Sequence, residues 1–265
     1  MKNNISFPGL GLEFNINPTF SLFGFEIHYY GLLIGIGLIL AVLFAMTRAK
    51  KYNITSETIL DFVLIGLPSA IVGARLFYVI GDPSCLKDGI LGAIAVWNGG
   101  LSIYGGLTFA VLSCMIYMKI KGIKILPALD LAAPSFMIGQ IIGRWGNFVN
   151  AEVYGGETSA IWGMSINGAN PVHPLFLYEG IWQLIGFIIL VTYSKFNKAS
   201  GRIFALYLIW YGVGRFFLEG LRDAEYVLLI FGLPFSKLLS IAVLIAGIVM
   251  LLKCKKENAE CKMDA

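Results

Sequence analysis

Seven apolar runs, each long enough to cross a lipid bilayer, dominate this sequence. A membrane-spanning helix needs about 20 predominantly apolar residues to cover the hydrocarbon core. The predicted spans are Tyr29–Thr47, Ile59–Ile80, Gly99–Met118, Ile125–Ile142, Leu175–Ser194, Ile203–Leu218 and Leu238–Leu252. The pattern predicts an all-α integral membrane protein with seven transmembrane helices.

Composition supports one membrane-embedded domain over residues 1–265. Hydrophobic residues make up 57% of the chain and charged residues 14%, and the mean hydropathy is +0.77. Soluble domains have about a quarter of their residues charged, so this chain has too little polar surface to remain in water. Its four cysteines have no CxxC or metal-ligand spacing, which predicts neither a disulfide framework nor a metal site.

The loops predict the orientation, because Lys and Arg concentrate on the cytoplasmic side of a membrane. Basic clusters follow the first, third, fifth and seventh spans: Arg48, Lys50 and Lys51; Lys119, Lys121 and Lys124; Lys195, Lys198 and Arg202; Lys253, Lys255, Lys256 and Lys262. We therefore expect an N-terminus outside and a C-terminal tail, from about residue 253, in the cytoplasm. With the basic residues distributed in this way, the net charge of +4 does not predict nucleic-acid binding.

Two stretches outside the spans are candidates for ordered structure. The longest, from about residue 144 to 174, is rich in Gly, Asn and aromatic residues and predicts a small extracytoplasmic cap. Residues 12–31, which precede and enter the first span, show partial apolar alternation. They are compatible with an interfacial arm or with a short hairpin.

Ionisable residues cluster near the predicted outer ends of the spans. A charge at the bilayer centre costs about 2.5–3.5 kcal/mol, so such residues usually face a protein interior or a water-filled cavity. The set comprises Arg75, Arg144, Glu152, His173, Glu179, Arg215, Glu219 and Arg222. It predicts either a functional polar site or structural ion pairs between helices. Arginine suits phosphate binding, and at this depth the available phosphate is a lipid headgroup. For Asp130, in the fourth span, proximity to a helix N-terminus is a sufficient explanation.

The most specific segment is GRWGNFVNAEVYGG, residues 143–156. Its glycines permit close approach of the backbone to helices or to a ligand. Asn147, Asn150 and Glu152 add hydrogen-bonding groups just beyond the fourth predicted span. By spacing alone, the segment predicts a polar turn beside Arg144.

This segment also resembles the signature of the prolipoprotein diacylglyceryl transferase family. Further segments match in the same order along the chain: HYYG at 28–31, GARLFYV at 73–79, WNGGLSIYGG at 97–106, HPLFLYE at 173–179 and YGVGRFFLEGLR at 211–222. The resemblance covers nearly the whole chain. It implies a multi-pass protein of the bacterial plasma membrane that moves the diacylglyceryl group of phosphatidylglycerol to the lipobox cysteine of a preprolipoprotein signal peptide. It implies no metal or cofactor.

The resemblance also implies roles for individual residues. Arg144 and Arg215 match the family's two essential arginines and are expected to be catalytic. Residues expected to bind substrate are Tyr30, Asn147, Glu152, Gly155, Tyr211, Glu219 and Arg222. Asp130 falls on a position that the family commonly fills with Asp.

One position departs from the family's frequent pattern. Many members carry His before the paired glycines of the third-span motif, where this chain has Tyr104. With a reference pKa near 10, tyrosine is a poor base at neutral pH. We expect Tyr104 to contribute a catalytic hydrogen bond, with the proton acceptor unassigned.

Two other classes of function compete with the enzyme. Buried arginines could line the path of a transporter or channel for an anionic solute, although no inverted repeat is visible. A non-catalytic scaffold or receptor is the third class, but it has no need of arginines at costly depth.

Overall fold

The computed structural model describes residues 2–96, 99–197, 199–230 and 232–263. Its helices in chain order are α1 (Tyr29–Arg48), α2 (Ser56–Gly81), α3 (Gly89–Ile94), α4 (Ile103–Ile120), α5 (Ile125–Asn150), α6 (Leu175–Phe196), α7 (Arg202–Leu218) and α8 (Phe235–Met263). All except the six-residue α3 are long and apolar enough to cross a membrane. The predicted seven-span, all-α fold class is confirmed. Trp97 and Asn98 of the third-span motif, like the side chains beyond Cys254 in the predicted tail, lie outside what is described.

Helix α5 is longer than predicted, because it continues from Ile142 to Asn150. The prediction of a turn is therefore wrong for residues 143–150. The physical reason is aromatic packing, since the rings of Trp145 and Phe148 both contact Phe176 of α6, with centroids 5.5 and 4.6 Å from its ring. At 1.5 Å per residue, the 26 residues of α5 span about 39 Å, so its polar end reaches beyond a hydrocarbon core of about 30 Å.

The strands are short and antiparallel. They are β1 (Asn3–Phe7), β2 (Leu12–Ile16), β3 (Thr19–Leu22), β4 (Phe25–His28), β5 (Ser165–Ile166), β6 (Leu229–Ile230) and β7 (Leu233–Pro234). The order β2-β1-β5 joins the N-terminal hairpin to the loop between α5 and α6, with Ile5 opposite Ile166. Strands β3 and β4 form a separate hairpin that leads directly into α1, so the stretch 12–31 contains the short hairpin that was one of its two predicted alternatives.

The N-terminal strands β1 and β2 and the loop between α5 and α6 together form the cap, and a small hydrophobic core packs it against the helices. Ile5, Phe7 and Met164 are buried together with Phe176 from α6. Phe148, near the end of α5, packs against them. The N-terminal strands and the loop between α5 and α6 therefore share one hydrophobic core.

The chain forms two compact units. The first unit contains the residues up to 45 and those from 129 onward, and the second contains residues 46–128. In the first, Met137, Leu190, Ile203 and Tyr207 contribute to a core between α5, α6 and α7. Asp130 is 1% exposed and accepts hydrogen bonds from the backbone amides of Gly201 (2.6 Å) and Phe204 (2.8 Å). The carboxylate on α5 thus caps the N-terminus of α7, where it satisfies orphan donors and favours the helix dipole.

In the second unit, α2 and α4 touch through glycines. A Cβ at Gly105 would lie 2.3 Å from the carbonyl oxygen of Gly73, so both glycines are required by the contact. Arg75 is buried and donates to the carbonyl oxygens of Gly92, Ala93, Gly99 and Gly100 at 2.6–3.0 Å. These bonds assign Arg75 to the support of the segment before α4 rather than to an ion-pair cluster.

Candidate active site

The first unit contains a cluster of three arginines and two glutamates, where α5, α6 and α7 contribute their polar ends. Glu179, in the first turns of α6, is its centre. The Glu179 carboxylate forms ion pairs with Arg144 from α5, with Arg215 from α7 (3.3 Å) and with Arg222 (3.2 Å). Its side chain is only 8% exposed, so these pairs are shielded from water.

Glu219 is the second carboxylate and is almost fully buried. Its Oε2 lies 3.2 Å from Arg215 Nη2 and 3.1 Å from Arg222 Nε. The spacings i,i+4 and i,i+3 place all three residues on one face, because α7 continues into a 3-10 turn over Glu219–Leu221. Burial and the neighbouring Arg215 lower the pKa of the Arg222 guanidinium, which nevertheless remains protonated as arginines do in proteins. By formal count, the three guanidinium groups and two carboxylates of the ion-paired cluster leave an excess of one positive charge.

The signature segment orients Arg144 through a chain of hydrogen bonds. Arg144 Nη1 donates to Asn147 Oδ1 (3.3 Å), and Asn147 Nδ2 donates to Glu152 Oε1 (3.2 Å). Asn150 Nδ2 donates to the same Glu152 oxygen at 3.3 Å. The helical spacing of Arg144, Asn147 and Asn150 aligns these groups along the end of α5. Tyr30 of α1 packs on Gly146, where a Cβ would lie 2.3 Å from the tyrosine ring.

A cavity opens beside the arginines. It has a volume of about 410 Å³, including its open mouth, and its walls come from α5, α6 and α7. The lining residues are Gln140, Arg144, Glu179, Trp182, Gln183, Tyr211, Gly214, Arg215 and Leu218. Arg144 and Arg215 therefore line the cavity, whereas Arg222 does not line it and contacts the cluster through Glu179 and Glu219.

Two tryptophans lock α6 to α7 at the cavity wall. The Trp182 and Trp210 rings stack with centroids 4.3 Å apart, and each indole N–H donates to the other residue's carbonyl oxygen, at 3.1 and 3.0 Å. Each ring also lies on a glycine of the opposite helix, Trp182 on Gly214 and Trp210 on Gly186. The lock sets the register of the two helices that carry Glu179 and Arg215.

The structure brings eight of the ten predicted site residues together around this cluster and cavity. They are Tyr30, Arg144, Asn147, Glu152, Tyr211, Arg215, Glu219 and Arg222.

Gly155 and Tyr104 are placed differently. The Gly155 amide donates to the His173 carbonyl oxygen (2.9 Å), and a Cβ there would lie 2.5 Å from Leu221 O, so this glycine admits a close backbone contact beside Arg222. Tyr104 lies in the second unit, in the first turn of α4, directly before the glycines that contact α2.

The sequence placed Glu179 in the set of ionisable residues but assigned it no catalytic or binding role, although it is the hub of the cluster. Two signals pointed to it, namely its position as the single charge in the fifth span and its place at the end of the HPLFLYE segment. Gln140, Trp182 and Gln183 of the cavity wall were also missed, since uncharged residues within spans are not distinguishable from packing residues by type. Among the residues that the structure describes, no three His, Cys, Asp or Glu side chains form a group that could hold a metal ion.

Comparison with known proteins identifies the family. The family model of prolipoprotein diacylglyceryl transferase matches residues 18–253. The chain belongs to this family.

Relatives named phosphatidylglycerol–prolipoprotein diacylglyceryl transferase match almost end to end. The one from Finegoldia magna is 44% identical over 240 residues, covering 90% of this chain and 96% of the relative. The one from Streptococcus pyogenes serotype M5 is 42% identical over 254 residues, covering 92% and 97%. Together with the seven apolar helices, membership of the transferase family makes this a multi-pass protein of the bacterial inner membrane. The family does not favour the transporter interpretation.

Proposed function

We propose that this chain transfers the diacylglyceryl group of phosphatidylglycerol to the cysteine thiol in the lipobox of a preprolipoprotein. The observation that carries the proposal is the excess positive charge of the buried cluster, presented to a cavity by Arg144 and Arg215. The anion available to a site between membrane-spanning helices is the phosphate of a lipid headgroup. The names of the relatives supply the two substrates.

The reaction is a displacement at carbon. The cysteine sulfur forms a bond to the terminal glycerol carbon of the diacylglyceryl group as the bond from that carbon to the phosphate oxygen breaks. The products are a thioether and glycerol 1-phosphate. The thiol proton leaves to the phosphate or to water, and no oxidant or reductant is required.

Arg144 and Arg215 are the proposed phosphate ligands. Their side chains are 29% and 17% exposed and line the cavity, whereas that of Arg222 is 9% exposed and does not. Each guanidinium has five N–H donors, so its pairing with carboxylates leaves donors for the substrate. Arg222 is then a positioning residue that acts through Glu179 and Glu219.

The charge balance favours the transition state. The cluster's excess of one positive charge matches the single negative charge of the phosphodiester. As the carbon–oxygen bond breaks, further charge moves onto the phosphate, and fixed guanidinium groups in a water-poor site stabilise that charge. The same positive field lowers the thiol pKa from about 8.5 and favours the reactive thiolate.

The tyrosines and the signature residues have supporting roles in this proposal. Asn147 and Glu152 orient Arg144 through the chain of hydrogen bonds at the end of α5. Tyr30 and Tyr211 position the lipid headgroup or the thiol. For Tyr104, the prediction of a catalytic hydrogen bond stays a prediction, and the proton acceptor stays unassigned.

The test uses purified protein in detergent with phosphatidylglycerol and a lipobox peptide, and follows both glycerol phosphate release and peptide mass. The parent is expected to release glycerol phosphate together with a diacylglyceryl mass gain. Arg144→Ala and Arg215→Ala are expected to abolish both while remaining folded and membrane-inserted. Lys195→Ala, at the end of α6, is the matched loss of a cation outside the cluster and is expected to be fully active.

Two outcomes would contradict the proposal. An active Arg144→Ala protein would remove this arginine from phosphate binding. A folded parent that transfers nothing when both substrates are supplied would refute the activity itself.

A further inference from the structure

The hairpin of β3 and β4 ends in an exposed apolar tip. Its turn residues and their neighbours read Leu22-Phe23-Gly24-Phe25, with Leu22 paired to Phe25. Phe23 is 92% exposed and Phe25 75%, and Leu22 is exposed as well. Contiguous exposed apolar groups of this kind mark an interaction surface.

The backbone of this turn makes the choice of phenylalanine unusual. The φ angles of Phe23 and Gly24 are 52° and 84°, so both central residues occupy the left-handed region, as in the two-residue turns that favour Asn-Gly. A bulky residue is disfavoured there because its Cβ approaches the backbone. The side chain of Phe23 makes no compensating contact in a core. A contact with a partner outside the chain accounts for phenylalanine at this position.

A second turn of the same molecule has similar φ angles but carries the residues that this conformation favours. Asn167 and Gly168, in the cap, have φ angles of 51° and 79°, and the amide of Ala169 closes the turn on Ile166 O at 3.0 Å. The φ angles thus match those of the first turn, but the residue is the polar one that the conformation favours. Asn167 is the matched internal control for Phe23.

A second hairpin repeats the apolar design. Strands β6 and β7 pair Leu229 with Pro234 and Ile230 with Leu233. In sequence, Ile-Phe-Gly-Leu at 230–233 is similar to Leu-Phe-Gly-Phe at 22–25. Gly232 has a φ of 76°, and Leu228, Leu229 and Leu233 are exposed.

Both hairpins are attached to the beginning of a membrane span in the same way. The amide of Tyr29, the first residue of α1, donates to Pro18 O (3.0 Å), just before β3. The amide of Phe235, the first residue of α8, donates to Leu228 O (2.9 Å), just before β6. Since α1 and α8 are the first and seventh of seven spans, both begin on the same side of the membrane.

We propose that the exposed apolar side chains of the two hairpins, Leu22, Phe23 and Phe25 in the first and Leu229 and Leu233 in the second, insert into the boundary between headgroups and acyl chains of that leaflet. Each four-residue strand of the first hairpin is about 13 Å long, so its tip stays within that distance of the first turn of α1. The apolar tip therefore lies close to the beginning of the span, as an interfacial anchor requires. The two tips hold the beginnings of α1 and α8 at a set depth. This inference does not depend on the transferase activity.

The test places an environment-sensitive NBD fluorophore on a single cysteine at position 23, in a chain with its four native cysteines replaced by serine. The protein is reconstituted in phosphatidylglycerol–phosphatidylcholine vesicles with and without shallow doxyl-labelled lipid. The expected result is a blue-shifted emission, quenched at least three-fold by the doxyl lipid. The probe at position 167 is expected to show the emission of water and no quenching.

Two results would overturn the proposal. One is equal, water-like emission from positions 23 and 167. The other is a blue shift at position 23 only after a lipobox peptide is added, which would identify the tip as a contact for the peptide rather than for lipid. A probe at position 233 tests the second tip by the same criteria, and a water-like signal there would refute insertion of that hairpin.

The variant Phe23→Asn separates membrane contact from folding. It supplies the residue that the turn favours, so the hairpin is expected to keep its structure. With the probe at position 25, quenching by doxyl lipid is expected to fall at least two-fold in this variant. Unchanged quenching at position 25 would show that Phe23 does not anchor the tip.

Discussion

Replacement of Glu179 by Gln tests the electrostatic design of the site most directly. The variant keeps the size of the side chain but removes the charge that three guanidinium groups share. Arg215 and Arg222 keep Glu219 as a partner. Arg144 loses its carboxylate partner and keeps Asn147, so its position is expected to change most.

The magnitudes follow from burial. Removal of one partner of a buried ion pair costs about 3–5 kcal/mol, and the retained amide oxygen places the expected loss of unfolding free energy near the lower value, about 3 kcal/mol. A displacement of a catalytic group by about 1 Å costs about 100-fold in rate, equivalent to about 2.7 kcal/mol. The cluster's excess charge rises from one to two, so phosphatidylglycerol should bind no more weakly. The expected loss is therefore in kcat, with KM for the lipid unchanged or lower.

The assay measures glycerol phosphate release in vesicles as a function of the surface fraction of phosphatidylglycerol, at a saturating concentration of lipobox peptide. Glu157→Gln is the matched control, since Glu157 is an exposed cap residue that accepts a hydrogen bond from Asn170 at 2.9 Å. It should retain parental kcat, KM and thermal stability. A Glu179→Gln enzyme with parental kcat would show that the ion-pair hub does not position the arginines.

Three further substitutions test other parts of the structure. Gly214→Ala would place a Cβ 2.1 Å from Trp182 Nε1, so it should break the tryptophan lock and lower kcat/KM at least 10-fold. Gly180→Ala is the control, because a Cβ there would have nothing within 4 Å, and it should be neutral in the same transfer assay. Asp130→Ala removes the acceptor of two amides at the start of α7 and should lower the free energy of unfolding by about 2–3 kcal/mol. The measurement is Tm in detergent, and an unchanged Tm would contradict the capping role. Tyr104→Phe is expected to reduce the transfer rate, and a parental rate would remove this hydroxyl from the mechanism.

Comparison of the predicted and observed spans shows where sequence patterns are reliable. The spans of α6 and α7 begin and end within two residues of the predicted bounds, because Pro174 precedes α6 and charged residues mark the other three ends. The fourth span was predicted eight residues too short, because polar residues from Arg144 onward look like a loop in hydropathy. Their helical conformation depends on Trp145 and Phe148 packing against Phe176, a contact between segments distant in the chain.

The residues of the candidate site were largely predictable, but their relationships were not. Charges within apolar spans are rare and costly, so Arg144, Glu179 and Arg215 attract attention from the sequence alone. Only i,i+3 and i,i+4 neighbours such as Glu219 and Arg222 can be paired by counting residues.

Hydropathy by itself determined that this chain is a seven-span membrane protein, because partition of an apolar helix into lipid depends on its own composition and length. Only the tertiary structure decided which charges meet, because the rotation and register of each helix depend on its packing partners. Glu179 of α6 contacts Arg215 of α7 in the register that Trp182 and Trp210 set by fitting onto glycines of the opposite helix. Those complementary surfaces exist only when the helices are assembled.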